Sequence, residues 1–407
     1  MQNPVTKLYS LLLRHLYREL AASVRYRVVF KYIGVMLIVL SAAFLVTAVV
    51  SLALGERFAA YLVLCPLCFA LGMWLYRRVP ERDVTTPEAA AVAALSFFAA
   101  SLVGALPFYF IGGMSGIDSW FESMSGFTTT GFSLMDVTSA PRNLIFLRAL
   151  LQWLGGMGFV VITVSLLIVS GRSAVTFLKD GVEEQVFPRI KTHVRAVLAT
   201  YSILTALGVV MLTVAGLSPF NAVCYTFAGI STGGFAAHPG SVGDLPRGAA
   251  LPVAVIMVMG ATPLIIYYRS WRTGRGVRGA ITALLRDRQL IALAVLTVVF
   301  GAGISAFGGV GLLNSLFTAA SAQTTTGYYT VDPAALPPGA LVIAVLSMFI
   351  GGSMGSTAGG VKLFRLTELL KGLNQFIISQ LYPKELVLPG TPRAAANGEF
   401  KGGRGVS

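Results

Sequence analysis

Three short segments carry residue types that can replace the water shell of a small cation. They are Thr129-Thr130-Gly131, Thr232-Gly233-Gly234 and Thr325-Thr326-Gly327. A dehydrated monovalent cation needs a ring of neutral oxygens. Backbone carbonyls and Thr hydroxyls supply them without a full negative charge that would trap the ion. Glycine admits positive φ, so successive carbonyls can turn toward one axis. Each terminal glycine is followed by an aromatic (Phe132, Phe235, Tyr328), and Phe121, Cys224 and Phe317 stand at equal distances upstream. One such tripeptide would be chance. Three in register, at intervals of roughly a hundred residues, form an internal repeat.

The stretch before each segment is too short to cross a bilayer but long enough for a helix of a few turns. Ser119-Trp120-Phe121-Glu122 reads as a capping box, with Ser119 accepting from the first turn and Glu122 reaching back. Ser218-Pro219 reads as an N-cap followed by Pro at the first helical position. For a single copy, a short amphipathic helix in an outer loop is the competing reading. Three copies, each between two apolar spans, favour a re-entrant pore helix that runs into an extended filter. The helix C-terminus would then add partial negative charge beside the cation. Non-helical backbone at membrane depth must be buried in protein or line a water-filled cavity.

Composition requires lipid as solvent. Of 407 residues, 55% are hydrophobic and 12% charged, against about 25% charged in soluble domains. Apolar runs of membrane-crossing length fall near 32–54, 59–77, 88–112, 143–169, 194–216, 249–268, 289–310 and 339–365. The first run is too long for a signal-peptide core and lacks a small-residue cleavage site, so it reads as a retained span. Basic residues crowd alternate connections. They lie in the N-terminal segment, at Arg77, Arg78 and Arg82, between 172 and 195, between 269 and 288, and from Lys362 to Lys384. The positive-inside rule therefore places both termini in the cytoplasm, and the formal net charge of +14 is a topology signal. No nucleic-acid partner is expected.

A second glycine-rich stretch interrupts the last span: Gly351, Gly352, Ser353, Gly355, Ser356, Thr357, Gly359 and Gly360. At roughly 1 kcal/mol per glycine relative to Ala, these residues make a poor helix. Close packing of small residues between helices is the alternative. Cys65 and Cys68 have CxxC spacing but apolar surroundings, and with Cys224 they read as packing residues. His15, His193 and His238 have no partner at metal-ligand spacing. Glu183-Glu184 reads as solvated. Asp136, Asp244 and Asp332 follow the filters and would either gather cations or serve as ordinary loop residues. Arg148, beside Gln152 and Trp153, would either stabilise the outer end of the first repeat or snorkel at the interface. No serine–histidine pair or acidic cluster sits at membrane depth, so no enzyme activity and no cofactor is expected.

The segments SGFTTTGFS (125–133), RALLQWLGGMGFVV (148–161), ISTGGF (230–235), QTTTGYYT (323–330) and FIGGSMGSTAGGVKLFR (349–365) resemble the Trk/Ktr/HKT superfamily of potassium transporters, most closely the membrane subunit of bacterial Trk systems. The resemblance implies an all-α polytopic protein of the inner membrane. It would have about eight transmembrane helices and three re-entrant pore loops, arranged as parallel span–pore helix–span repeats. K+ would be the transported ion, with Gly131, Gly234 and Gly327 setting its preference and residues 351–360 forming a gating loop under the filter. A homodimer and a peripheral, TrkA-like nucleotide-binding regulator are also implied, with the basic loops as docking surfaces.

The expected organisation is two extra N-terminal spans (1–85), three pore repeats (86–171, 172–275, 276–380) and a polar tail (381–407). The family pattern has four filters, and a fourth glycine would fall beyond Ser407. A truncated, non-conducting fragment is therefore one alternative, and a fourth repeat supplied by another chain is a second. An ion-coupled secondary transporter is the third, although it would want inverted repeats and an intramembrane carboxylate.

Overall fold

The structure is a computed structural model that describes residues 25–79, 86–169, 190–272 and 276–381. It is predominantly helical. Helices α1 (Tyr26–Ala53) and α2 (Ala59–Arg77) pack as a hairpin. Gly34 and Gly72 meet at its centre, where a Cβ on either would stand 2.7 Å from the other's carbonyl oxygen.

A recurring pattern follows. The first copy is α3 (Thr86–Gly104), the short α4 (Leu106–Phe110), α5 (Gly116–Phe127) and α6 (Arg142–Val169). The second is α7 (Ile190–Val214), α8 (Pro219–Ile230), α9 (Ala250–Ala261) and α10 (Leu264–Arg272). The third is α11 (Gly276–Arg286), α12 (Arg288–Gly308), α13 (Leu312–Gln323) and α14 (Pro338–Phe349). Strands β1 (Ile350–Gly351) and β2 (Val361–Lys362) and helix α15 (Leu363–Leu381) complete it. In every copy the middle helix (α5, α8, α13) is 12 residues long, too short to span a bilayer.

Among the described residues, five helices are long and apolar enough to cross a membrane: Tyr26–Ala53, Ala59–Arg77, Ala90–Phe110, Val194–Val214 and Arg288–Gly308. Two of the expected spans are not continuous helices. The run 249–268 breaks between α9 and α10, where Thr262 is extended (φ −92°, ψ 146°) ahead of Pro263. A residue before proline is pushed out of the helical region, which accounts for the break. The run 339–365 ends as helix at Phe349 and resumes at Leu363. Between these points the chain doubles back, and β1 pairs with β2 in parallel, Ile350 opposite Val361 and Gly351 opposite Lys362.

The apolar core has two large clusters. One gathers Phe44 and Tyr61 from the hairpin with Phe108, Phe127, Leu147 and Leu151. The other gathers Tyr201, Tyr225, Phe235, Ile256 and Tyr328. Trp153 of α6 joins them, with its ring centroid 5.4 Å from that of Tyr201 and 5.3 Å from that of Phe227. The N-terminal basic residues before Arg25, with His15, lie outside the described residues. So do Arg82, the segment 170–189 with Arg172, Lys179, Glu183, Glu184 and Arg189, residues 273–275 with Arg275, and residues 382–407 with Lys384.

Candidate functional site

The three short helices deliver the Thr/Gly segments. The N-cap of α5 is Ser115, whose hydroxyl accepts from the Asp118 amide at 3.2 Å and donates to the Asp118 carboxylate at 2.7 Å. The expected capping box at Ser119 and Glu122 is therefore one turn too late. Both residues are fully buried inside α5. Ser218 caps α8 as expected, accepting from the Asn221 amide at 3.3 Å, with Pro219 at the first helical position.

Each helix ends where its segment begins, and the segment amides bond back to it. The Thr130 amide donates to Ser125 O at 2.9 Å, the Gly233 amide to Ala228 O at 2.8 Å and the Thr326 amide to Ser321 O at 2.9 Å. The same backbone conformation recurs three times. Thr129, Thr232 and Thr325 have φ of 53°, 52° and 55°, and Gly131, Gly234 and Gly327 have φ of 83°, 77° and 92°. Left-handed backbone at a β-branched residue is costly and persists only where the surroundings over-determine it. Left-handed residues that alternate with ordinary ones can turn successive carbonyls to one side.

The segments also touch in order. A Cβ on Gly131 would stand 2.2 Å from Gly233 O, and one on Gly234 would stand 1.9 Å from Thr326 O. The backbones of segments 1 and 2, and of 2 and 3, are thus in direct contact, with the second between its neighbours. Thr232 and Thr326 are each 2% exposed. Tyr328 ties the third segment to the second, its hydroxyl donating to Tyr225 O at 3.1 Å and Phe235 O at 3.3 Å.

The glycine-rich stretch 351–360 lies against this assembly. Thr357 Oγ1 reaches Gly260 O at 2.9 Å and Ile230 O at 3.1 Å, and it lies 3.4 Å from Thr232 Oγ1. The Gly359 amide donates to Thr325 Oγ1 at 2.6 Å. The Ser353 amide donates to Ala261 O, and the Met354 amide to the side-chain oxygen of Gln289 on α12. Gly351 and Gly360 close the base of the loop, where a Cβ on Gly351 would stand 1.9 Å from Gly359 O. Lys362 Nζ donates to Ala358 O, and Ser356 Oγ to Ser353 O. Gly352 packs on Ala358 and Ala261, while Gly355 (φ 77°) turns in open space. The loop is therefore clamped to the first Thr of segments 2 and 3 and to the breaks in α9 and α14.

An ionic network braces the far end of the segments. Glu122 Oε1 lies 3.3 Å from Arg148 Nη1 and accepts from Ser133 Oγ at 2.9 Å, while Oε2 accepts from the Leu134 amide at 3.0 Å. Arg148 also donates to Ser133 Oγ and to Ala236 O, and its guanidinium sits 4.2 Å from the Phe235 ring centroid. Arg148 is 3% exposed, so it is not a snorkelling side chain. One turn along α6, Gln152 donates to Gly233 O at 2.7 Å and accepts from the Phe235 amide at 3.1 Å. Composition did not single out Glu122 or Gln152 for these roles. The available clue was Gln152 one turn after Arg148 in a largely apolar stretch of α6.

The acids after the segments hold their own loops. Asp136 accepts from Thr138 and Ser139, which keeps its carboxyl below the ordinary aspartate value. Asp244 accepts from the Gly240 amide, and Asp332 from the Ala334 amide. His238 pairs with the Tyr225 hydroxyl at 3.1 Å. Cys68 and Cys224 are packed in the apolar core, and all three cysteines are free thiols.

The cation transport protein family TrkH matches residues 67–392 of this chain. An uncharacterized cation transporter of Methanocaldococcus jannaschii is 31% identical over 348 residues, covering 84% of this chain and 72% of that protein. The Trk system potassium uptake protein TrkH of Escherichia coli K12 is 28% identical over 388 residues, covering 88% of this chain and 77% of its own length. The crystal structure of the potassium transporter TrkH from Vibrio parahaemolyticus superimposes with a TM-score of 0.77 at 24% identity, over 92% of this chain and 81% of that one. The shared fold is that of a helical membrane transporter.

Proposed function

We propose that this chain, which belongs to the TrkH family of cation transport proteins, carries potassium ions inward across the cytoplasmic membrane. The observation that carries this reading is the threefold recurrence of a left-handed Thr followed two residues later by a left-handed Gly, in segments whose backbones touch. Such segments offer neutral oxygens to a dehydrated cation, and three pore-helix C-termini add partial negative charge behind them. Thr129, Thr130, Gly131, Thr232, Gly233, Gly234, Thr325, Thr326 and Gly327 are the filter residues in this reading.

The loop 351–360 is the gate. It meets the filter through Thr357 and Gly359, so an ion leaving the filter on that side encounters it first. Both termini face the cytoplasm, where the basic connections dock a nucleotide-binding regulatory subunit, and two copies of the chain pair in the membrane. The mechanism is passage through coordinating oxygens, with no covalent step.

The test is growth in low-potassium medium of a bacterial strain that lacks its own potassium uptake, with membrane levels of the chain measured in parallel. Rescue by the chain, weakened by Gly234→Ser at equal membrane level, supports the reading. Absence of rescue with the regulatory subunit supplied, at normal membrane level, counts against it.

A further inference from the structure

The three filter segments are not braced alike. In the first, the Thr128 and Thr130 hydroxyls bond each other at 2.7 Å, and in the third the Thr324 and Thr326 hydroxyls do so at 2.8 Å. Each pair ties the middle filter residue to the end of its own pore helix, because Thr128 and Thr324 also donate to Met124 O and Ala320 O. The second segment has Ser231 and Gly233 at these positions. Ser231 bonds back to Phe227 O, but Gly233 has no hydroxyl to complete the pair.

A side chain from the neighbouring repeat occupies the space instead. Gln152 Nε2 donates to Gly233 O at 2.7 Å, and Gln152 Oε1 accepts from the Phe235 amide at 3.1 Å, with Gln152 fully buried. The two bonds straddle Gly234 and fix the peptides on both sides of it. A Cβ on Gly233 would stand 2.5 Å from Gln152 Cδ, so the glycine and the amide require each other.

We propose that Gln152 is the positioning residue that sets ion specificity in the second filter segment, replacing from α6 the Thr–Thr brace that the first and third segments carry internally. This rests on the potassium reading above. Gln152 does not touch the ion. It fixes the two peptides that flank Gly234, where the threonine pairs of the other segments fix the side chain of the middle residue, and the Gly131–Gly233 contact carries this brace to the first segment.

The experiment measures K+- and Na+-dependent thermal stabilisation of the purified 407-residue chain in detergent, a readout of ion binding that needs no transport. Gln152→Met keeps the side-chain volume and removes both hydrogen bonds. The expected result is a loss of about tenfold in apparent K+ affinity, the scale of one buried hydrogen bond, with Na+ affinity nearly unchanged and an ion-free melting temperature lowered by the two groups left unpaired. Gly233→Ala, which displaces the amide, should reproduce the loss alone and add nothing in a Gln152→Ala background.

A K+ preference that survives Gln152→Met within about twofold, or losses from Gln152→Ala and Gly233→Ala that simply add, would overturn the inference alone. Equal K+ and Na+ stabilisation of the unsubstituted chain would overturn the potassium reading and this inference with it. If Gln152→Met does not fold, the Gly233→Ala comparison decides.

Discussion

The Thr357 hydroxyl lies 3.4 Å from the Thr232 hydroxyl, across 125 residues of sequence. One residue belongs to the loop between α14 and α15, the other to the second Thr/Gly segment. The loop is thereby held against residues of the filter proposed above.

Thr357→Val should loosen the loop. It removes the hydroxyl that reaches Gly260 O and Ile230 O and leaves the backbone bond from the Thr357 amide to Gly260 O intact. At about 1 kcal/mol for a net hydrogen bond, the open population should rise roughly fivefold. Potassium flux into proteoliposomes should increase by a similar factor. An unchanged flux would remove the loop from gating.

Gly131→Ser and Gly234→Ser should both weaken K+ preference over Na+. Each forces a side chain into left-handed backbone, at about 1–2 kcal/mol, and drives a Cβ into the neighbouring segment's carbonyl. Relative K+ and Na+ uptake by cells that carry each variant is the measurement. Equal ratios in variant and parent would sink the filter assignment.

Within the loop, glycines should differ sharply. Gly351→Ala places a methyl against Gly359 O, whereas Gly355→Ala meets nothing within 4 Å and bears only the cost of its positive φ. Melting temperature in detergent should fall well below the parent for Gly351→Ala. It should fall only by the equivalent of about 1 kcal/mol for Gly355→Ala.

Arg148→Met leaves Glu122 buried without its cation. Breaking a buried pair from one side costs about 3–5 kcal/mol, so the variant should unfold at markedly lower temperature or denaturant concentration. Adding Glu122→Gln to Arg148→Met should recover part of that loss. Strict additivity of the two substitutions would show that the ionic contact contributes nothing.

The three Thr/Gly segments were legible because their pattern is local and repeated. Thr and Gly at fixed offsets, ahead of an aromatic, stand out three times against apolar sequence. The loop was legible from glycine density, and the hairpin, α7 and α12 from hydropathy. The break at Thr262-Pro263 carried a local signal, a residue before proline, but the apolar run on both sides masked it. The start of α5 was ambiguous in principle. Ser115-Gly-Ile-Asp118 and Ser119-Trp-Phe-Glu122 are equally good capping boxes, and what separates them is Arg148, which claims Glu122 from a distant helix. Nor could local rules place Thr129, Thr232 and Thr325 in left-handed backbone. Glycine is the usual residue there, and the amides of each left-handed Thr and of the residue after it bond back to carbonyls of its own helix.

The three filter segments stand like adjoining stones of an arch. Gly131 rests on Gly233 and Gly234 rests on Thr326, so the second segment cannot shift toward either neighbour unless that neighbour yields. If these segments form the proposed filter, shrinking its opening around a smaller ion is a collective deformation that parts of the chain roughly a hundred residues apart must undergo together. The width of such a passage would belong to the joints between repeats, and no single repeat would possess it.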